Sequence, residues 1–475
     1  MLSPETGARF KKLRPFILST FLDFAFAAMF GAAVILGAQG LACAANEQRP
    51  NLVLFISDDL GYSDTSLAGS TTFRTPNLLR IARDGMAFTH AFAASPSCAP
   101  SRAALLTGLM PMRGGSMLNQ EPPREDVKKL PAYLKELGYE VVAFGKVAHY
   151  KQGQQYGFEL VRHDGFHDDE CVVAAVEFLK QRDVRTPLCL LVGTNWPHVP
   201  WPEAKTGVDL KAFEPPSTHV DTTETRRWRA RYAAAVERFD DDLGQLYDAA
   251  FKYLGSNTLF LSSSDHGAQW PFGKWNLYDA GIRVPFVAVW PGVVEANRES
   301  GAMISLVDVL PTLVEAAGGT PPRQIDGRSF KDILTGNSDE LRESIFATHS
   351  GDGTMNRYPM RSVRTRDWKY IRNLWPETGY TTHIDLGKAI DGNEYWNSWI
   401  EKAKTDTKTA AVISRYHRRP PEELYDLRTD PMEQHNLAAH ADSTAVLSEM
   451  RAQLDVWMES QGDQGRATED SLKAP

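Results

Sequence analysis

Leu52-Val53-Leu54-Phe55-Ile56, followed at once by Ser57-Asp58-Asp59, is the stretch on which the fold turns. An unbroken apolar run without polar alternation describes a strand buried on both faces, as in a parallel sheet covered by helices. Similar runs follow at Val141 to Phe144, Leu188 to Val192, Thr258 to Leu261 and Pro285 to Trp290, separated by longer stretches of helical periodicity. Thr75-Pro76 opens a helix that Gly85 closes, Leu130 to Leu137 ends at Gly138, and a long helix runs from about Glu224 to Leu254 before Gly255. The alternation predicts an α/β fold, a mostly parallel sheet sandwiched by helices.

On the C-terminal side the texture changes after about Ser344. Arg361 to Asn373, a Gly/Asn/Trp-rich stretch and Leu424-Tyr425-Asp426-Leu427 read as short antiparallel strands, with a closing helix near Thr444 to Trp457. A catalytic domain over 46–343 and a smaller α+β domain over 344–475 are expected. On the N-terminal side, a basic stretch (Arg9, Lys11, Lys12, Arg14), the apolar run Phe24 to Leu36 and Ala42-Cys43-Ala44 read as a secretory signal over 1–44, cut after Ala44. Secretion or a periplasmic location follows; an uncleaved anchor over Pro15 to Leu36 and a lipoprotein cysteine at Cys43 are the minority readings.

The 475 residues carry 52 Lys and Arg against 60 Asp and Glu, a formal charge of −8, which argues against a duplex-binding protein and excludes a generally basic glycan binder. Cys43, Cys98, Cys171 and Cys189 include no CxxC pair and make no disulfide framework, although a Cys171–Cys189 bridge stays open.

The residues with chemistry to offer sit just past strand ends. Asp58-Asp59 follow the first run, Lys146 and His149 the second, Asn195 to His198 the third, and Asp265-His266 the fourth. Ligands bind at that edge of open parallel sheets, so the four sets converge on one rim. Asp58, Asp59 and Asp265 together can hold a hard divalent cation; taken alone, the pair reads rather as Asp58 capping the following turn and Asp59 solvated. His266 is a poor ligand for a hard cation and reads as either ligand or hydrogen-bond partner. Cys98, at the start of a helix beside Arg102, is expected in a positive field that favours an anionic form. Arg102, Lys146 and Lys274 can receive a tetrahedral oxyanion, and His149 and His198 can move protons. Arg361, Arg364, Arg366 and Lys369 read as a solvated strand face or as a basic rim for a polyanionic sugar.

Cys98-Ala99-Pro100-Ser101-Arg102 with Thr107-Gly108 resembles the C-x-P-S-R…T-G signature of the formylglycine-dependent (type I) sulfatases. Ser57 to Gly61, Gly145-Lys146 with His149, Trp196 to Trp201, Ser264 to Gly267 with Lys274, and Leu424 to Leu427 with Asp430-Pro431 are similar to further motifs of that family. His266 departs from the asparagine of many members but agrees with iduronate 2-sulfatase-like ones. The resemblance implies an alkaline-phosphatase-like fold and one divalent cation, Ca²⁺ by family expectation, held by Asp58, Asp59, Cys98, Asp265 and His266. It also implies a maturation enzyme that converts Cys98 to formylglycine, whose hydrate attacks sulfur. Arg102 would then hold the nucleophile, Lys146 and Lys274 the sulfate oxygens, His198 would protonate the leaving group, and His149 would help release sulfate. Tyr358 to Val363 and Phe272 to Tyr278 resemble heparan N-sulfatases, which favours N-sulfoglucosamine among sulfated carbohydrates, with other glycan sulfate esters next. A phosphomonoesterase or phosphonate hydrolase of the same fold and an inactive glycan-binding protein are the rival readings.

Overall fold

In the computed structural model, which describes residues 49–472 apart from 184, 354 and 388, the strands occur in chain order as follows. They are β1 (Asn51–Ser57), β2 (Met86–Phe92), β3 (Leu118–Asn119), β4 (Glu140–Gly145), β5 (Leu160–Arg162), β6 (Leu188–Gly193) and β7 (Thr258–Ser264). After these come β8 (Arg283–Val289), β9 (Arg298–Ser305), β10 (Ile345–His349), β11 (Gly351–Asp352), β12 (Met360–Arg364), β13 (Trp368–Asn373) and β14 (Glu422–Asp426). The signal and anchor readings of 1–44 lie outside the described residues. Among those described, no helix is long and apolar enough to cross a membrane.

Eight strands form one sheet in the order β5-β4-β6-β1-β7-β8-β2-β9. The expected apolar runs are all strands, and β1 sits centrally, parallel to β6 and β7, with Leu54 opposite Leu191 and Leu261. The run from Pro285 is a strand of the opposite direction, antiparallel to both β7 and β2. Apolar continuity reports burial and carries no direction, so the sequence left that reversal unread. Side chains alternate across the pleat: Val53 and Phe55 join a core with the helices Pro76–Asp84, Cys171–Gln181 and Thr223–Leu254. Leu52, Leu54 and Ile56 face the other way, onto Cys98–Thr107, Leu130–Glu136 and Val309–Ala316.

A second, antiparallel sheet has the order β10-β12-β13-β14. Val363, Tyr370 and Leu424 pack on one face against Leu447, Met450 and Leu454 of the closing helix Thr444–Gln461. Met360, Ile371 and Tyr425 point the opposite way and join the apolar cluster that contains Val53 and Phe55, so the described residues of the two sheets pack as one unit. The Gly/Asn/Trp-rich stretch is helical rather than extended: Asn393–Ala403 buries Tyr395, Trp396 and Trp399 along one stripe.

The expected basic face is also corrected. Arg361 is fully buried and pairs with Glu469 at 2.7 Å; Arg364 pairs with Asp279 at 3.0 Å, and Lys369 with Glu433 at 3.0 Å. Of the four cations only Arg366 is exposed, and it donates to the Gly301 carbonyl. These charges fix the second sheet to its surroundings, which alternating residue types in a strand could not distinguish from a solvated face. Cys98, Cys171 and Cys189 are free thiols, and Cys171 and Cys189 belong to the cores on opposite faces of the large sheet.

Candidate active site

The C-terminal ends of β1, β4, β6 and β7 deliver the polar residues to one place. Asp59 leaves β1 with φ 69°, a left-handed backbone that aspartate tolerates better than most residues. Its amide donates to Asp265 Oδ1 at 3.1 Å, and the Tyr232 hydroxyl donates to its carbonyl at 3.3 Å. At the end of β4, Gly145 takes φ 69°, and a Cβ there would lie 2.1 Å from the Gly193 carbonyl. This close approach lets Lys146 turn inward, its amide bonded to that carbonyl at 2.7 Å.

Cys98 is the first residue of the helix Cys98–Thr107, capped at its far end by Gly108 in the left-handed conformation. One turn later Arg102 crosses beneath it, with Nε 2.9 Å from Asp265 Oδ2 and Nη2 3.1 Å from Asp58 Oδ1. Asn119, which sequence reasoning missed, accepts the Ala99 amide at 2.9 Å and so holds the start of the helix. Ser101 donates to the Asp265 carbonyl at 2.6 Å, tying the same turn to the end of β7.

Around the Cys98 sulfur stand His266 Nε2 at 3.3 Å, Asp58 Oδ1 at 3.7 Å and Lys146 Nζ at 3.8 Å. Lys146 donates to Asp58 Oδ2 at 2.6 Å, and Lys274 to Asp59 Oδ2 at 2.8 Å. His198 Nε2 lies 3.8 Å from Asp59 Oδ2, while its Nδ1 is 2.6 Å from the Val199 carbonyl. That carbonyl can only accept, which places the proton of a neutral ring on Nδ1. His149 is buried at the rim, its ring 4.3 Å from that of Tyr150, and makes no side-chain hydrogen bond to a described residue. Tyr150 stacks on Phe166, which is half exposed and meets the His198 ring edge-on at 5.5 Å.

The electrostatics separate the two leading carboxylates. Burial opposes the Asp58 charge, but Lys146, His198 and Arg102 outweigh it and hold this carboxyl well below its usual range. Asp59 moves the other way: burial raises it, Asp58 and Asp265 add repulsion, and Lys274 compensates only in part. Burial pushes His198 and His149 well below the usual histidine range, with Lys274 and Lys146 respectively adding to the effect. The expected anionic tendency at position 98 is not found, because burial raises the Cys98 thiol beyond what Lys146 and Lys274 recover.

Donor atoms of Asp58, Asp59, Cys98 and His266 all lie within 4.8 Å of one another. Asp265 borders this group with both oxygens engaged, Oδ2 by Arg102 and Oδ1 by the amides of Asp59 and His266. Asp59 Oδ1 is buried and accepts no hydrogen bond from a described residue. An unpaired buried carboxylate oxygen beside a second carboxylate fits a divalent cation.

A profile of the sulfatase family matches residues 50–319. The chain belongs to the sulfatase family. It is a sulfate ester hydrolase, and formylglycine dependence is general to that family. A second profile, the C-terminal region of N-sulphoglucosamine sulphohydrolase, matches residues 266–409. An ulvan-active sulfatase of Formosa agariphila is 33% identical over 430 residues, 88% of this chain and 81% of the relative. The N-acetylgalactosamine-6-sulfatase of Canis lupus familiaris is 30% identical over 76% of this chain and 79% of its own length. In fold, the sulfatase resembles a protein solved with its substrate D-glucosamine-2-N,6-O-disulfate (TM-score 0.69, 19% identity, 90% of this chain and 100% of that one). It also resembles the phosphonate monoester hydrolase of Agrobacterium radiobacter (TM-score 0.68, 20% identity, 88% and 97%).

Proposed function

We propose that this sulfatase hydrolyses an O-sulfate ester of a sulfated carbohydrate, R–O–SO₃⁻ + H₂O giving R–OH, sulfate and a proton. The observation that carries the reading is the buried position of Cys98 at a helix start, facing Lys146, Asp58 and His266 at once. Formylglycine, if formed from Cys98, would supply a hydrated aldehyde whose oxygen would serve as the nucleophile. A divalent cation, Ca²⁺ by our assignment, would be held by Asp58, Asp59, Asp265, His266 and the group at position 98, and would draw charge from a sulfate oxygen.

The chain's own residues account for the remainder. Arg102 fixes Asp58 and Asp265 relative to the helix that carries position 98, so the carboxylates and the nucleophile keep one geometry. Lys146 and Lys274 remain protonated, since their aspartate partners outweigh the cost of burial, and they offer Nζ donors to a sulfate group. His198 Nε2 faces the same pocket and, once protonated, would pass its proton to the departing sugar oxygen; His149 would take a proton as sulfate leaves.

Two relatives support an O-sulfate, an ulvan-active sulfatase and N-acetylgalactosamine-6-sulfatase. The match of 266–409 to the N-sulphoglucosamine sulphohydrolase C-terminal region favours a second reading, an N-sulfated glucosamine. Sulfate release from ulvan oligosaccharides, N-acetylgalactosamine 6-sulfate and N-sulfoglucosamine decides between them. Mass spectrometry of the peptide containing residue 98, from protein made with a maturation enzyme, tests the nucleophile. An unmodified thiol there would defeat the mechanism. Export is proposed from the leader, and N-terminal sequencing of the mature protein checks it.

A further inference from the structure

Beyond the Asp59 side of the site lies a separate cleft of about 320 Å³ that includes none of the sulfate-handling residues. Its walls come from the segment after β1, the segment after β7, the first turns of the long helix Thr223–Leu254 and the chain near Arg415. Volumes of roughly 300 Å³ and above are typical of small-molecule sites.

Arg229 is the unusual member of the wall. Only 7% of it is exposed, yet its guanidinium makes no hydrogen bond and no ion pair with a described residue, and its Nε is sealed from solvent without an acceptor. Its Cζ lies 4.8 Å over the Phe73 ring. A buried guanidinium without acceptors is costly, and native structures supply such groups with partners. Burial accordingly draws Arg229 below its usual pKa, offset only in part by Asp64 and Tyr232.

Two more cations line the cleft without a carboxylate partner among the described residues. Arg415 donates to the Glu433 carbonyl at 3.0 Å and lies 4.2 Å over Phe272; Arg283 donates to the Thr89 carbonyl at 2.9 Å and lies 4.4 Å over Tyr62. The carboxylates of the wall are largely spoken for: Asp279 pairs with Arg364 and Lys369, and Glu433 with Lys369. Asp64 remains, close enough to Arg229 to offset part of its burial, but it makes no ion pair with it and already accepts the Tyr232 hydroxyl at 3.2 Å. Trp270 adds a buried Nε1 donor without an acceptor among the described residues.

We propose that this cleft binds a compact organic oxyanion, a carboxylate- or sulfate-bearing sugar unit, with Arg229 and Arg415 receiving the charged group. Excess cationic donors supply the charge complementarity, and the rings of Phe73 and Phe272 supply apolar walls. The site is distinct from the Cys98 pocket, so its occupancy does not depend on formylglycine or on a metal.

The test is calorimetric titration and co-crystallisation of the full-length chain with glucuronate and, separately, with selenate. Glucuronate seated within hydrogen-bonding distance of Arg229 is expected, with affinity at least about tenfold weaker in Arg229→Gln and weaker also in Arg415→Gln. Turnover of 4-nitrophenyl sulfate, which reads the Cys98 pocket, should be unchanged in both variants. Arg415 is only half-buried, so its variant keeps the test open if Arg229→Gln does not fold. Selenate bound with glucuronate excluded would overturn the sugar assignment. Binding of neither, ligand seen in crystals without affinity in solution, or affinity unaltered in both variants would overturn the site.

Discussion

Lys146 donates to Asp58 at 2.6 Å, and both side chains are completely withdrawn from solvent. The pair joins the ends of β4 and β1, and the same ammonium stands 3.8 Å from the Cys98 sulfur. Replacing Lys146 by Met therefore removes a donor to sulfate and leaves Arg102 as the ion-pair partner of Asp58 among the described residues. Removal of one oriented donor costs about 10²–10³ in kcat, and breaking a buried pair costs about 3 kcal/mol. Steady-state kinetics and urea unfolding read the two effects separately. Activity within tenfold of the parent enzyme would contradict the assigned role.

How much of this was legible in the sequence depends on what each signal reports. Strand ends were readable because β1, β4, β6 and β7 are unbroken apolar runs, and a parallel sheet sends whatever follows them to one edge. β2, with Thr89 and His90 in its middle, and β9, which begins Arg298-Glu299-Ser300, lack that signature. β2 joins the sheet through β8 and carries β9 beyond it, and no local pattern announces either pairing. In the site, the acids and bases were readable from residue type, but their protonation was not. Depth of burial decides whether Cys98 favours its thiol and whether Asp59 resists its charge, and burial is a property of the assembled fold. Phe166 and Asn119 carry no motif; only the folded chain brings them to His198 and to the Cys98 helix.

Asp59 Oδ1 is buried without a hydrogen-bond donor among the described residues, and the carboxyl resists ionisation because of burial and its acidic neighbours. A divalent cation that binds only the folded state should raise stability, by about 2.7 kcal/mol at a hundredfold excess over Kd. The proton and the cation compete for Asp59, so the gain should shrink as pH falls. Thermal unfolding with and without Ca²⁺ after chelation measures it, and Asp59→Asn should abolish most of the response. An equal response in the variant would remove Asp59 from the site.

Burial lifts Asp242 to about 7, although the Thr194 hydroxyl, 2.6 Å from its Oδ2, favours the charged form. In the unfolded chain an aspartate titrates near about 3.9, so between roughly pH 4 and 7 the native state holds a proton that the unfolded state has lost. Stability from this group is therefore full below the lower value and declines as pH rises through about 7. Asp242→Asn retains an acceptor for Thr194 and removes the titration. The variant should be more stable than the parent at pH 8, by an amount of the order of 1–4 kcal/mol, and should converge with it near pH 4. Urea unfolding at the two pH values checks the sign; a difference independent of pH would assign the shift elsewhere.

His198 places its bare Nε2 toward Asp59 and keeps its Nδ1 proton on the Val199 carbonyl, while burial and Lys274 hold the ring neutral. To act as an acid it must first gain a proton at Nε2, so the step it serves should quicken as pH falls below neutrality. The need for that proton depends on the leaving group: a sugar alkoxide is a poor one, a nitrophenolate a good one. His198→Ala should therefore lose about 10²–10⁴ in kcat on a sulfated sugar and far less on 4-nitrophenyl sulfate. Rates for both substrates, in parent and variant from pH 5 to 8, separate proton donation from a merely structural effect. Equal losses on the two substrates would show that His198 shapes the pocket without donating the proton.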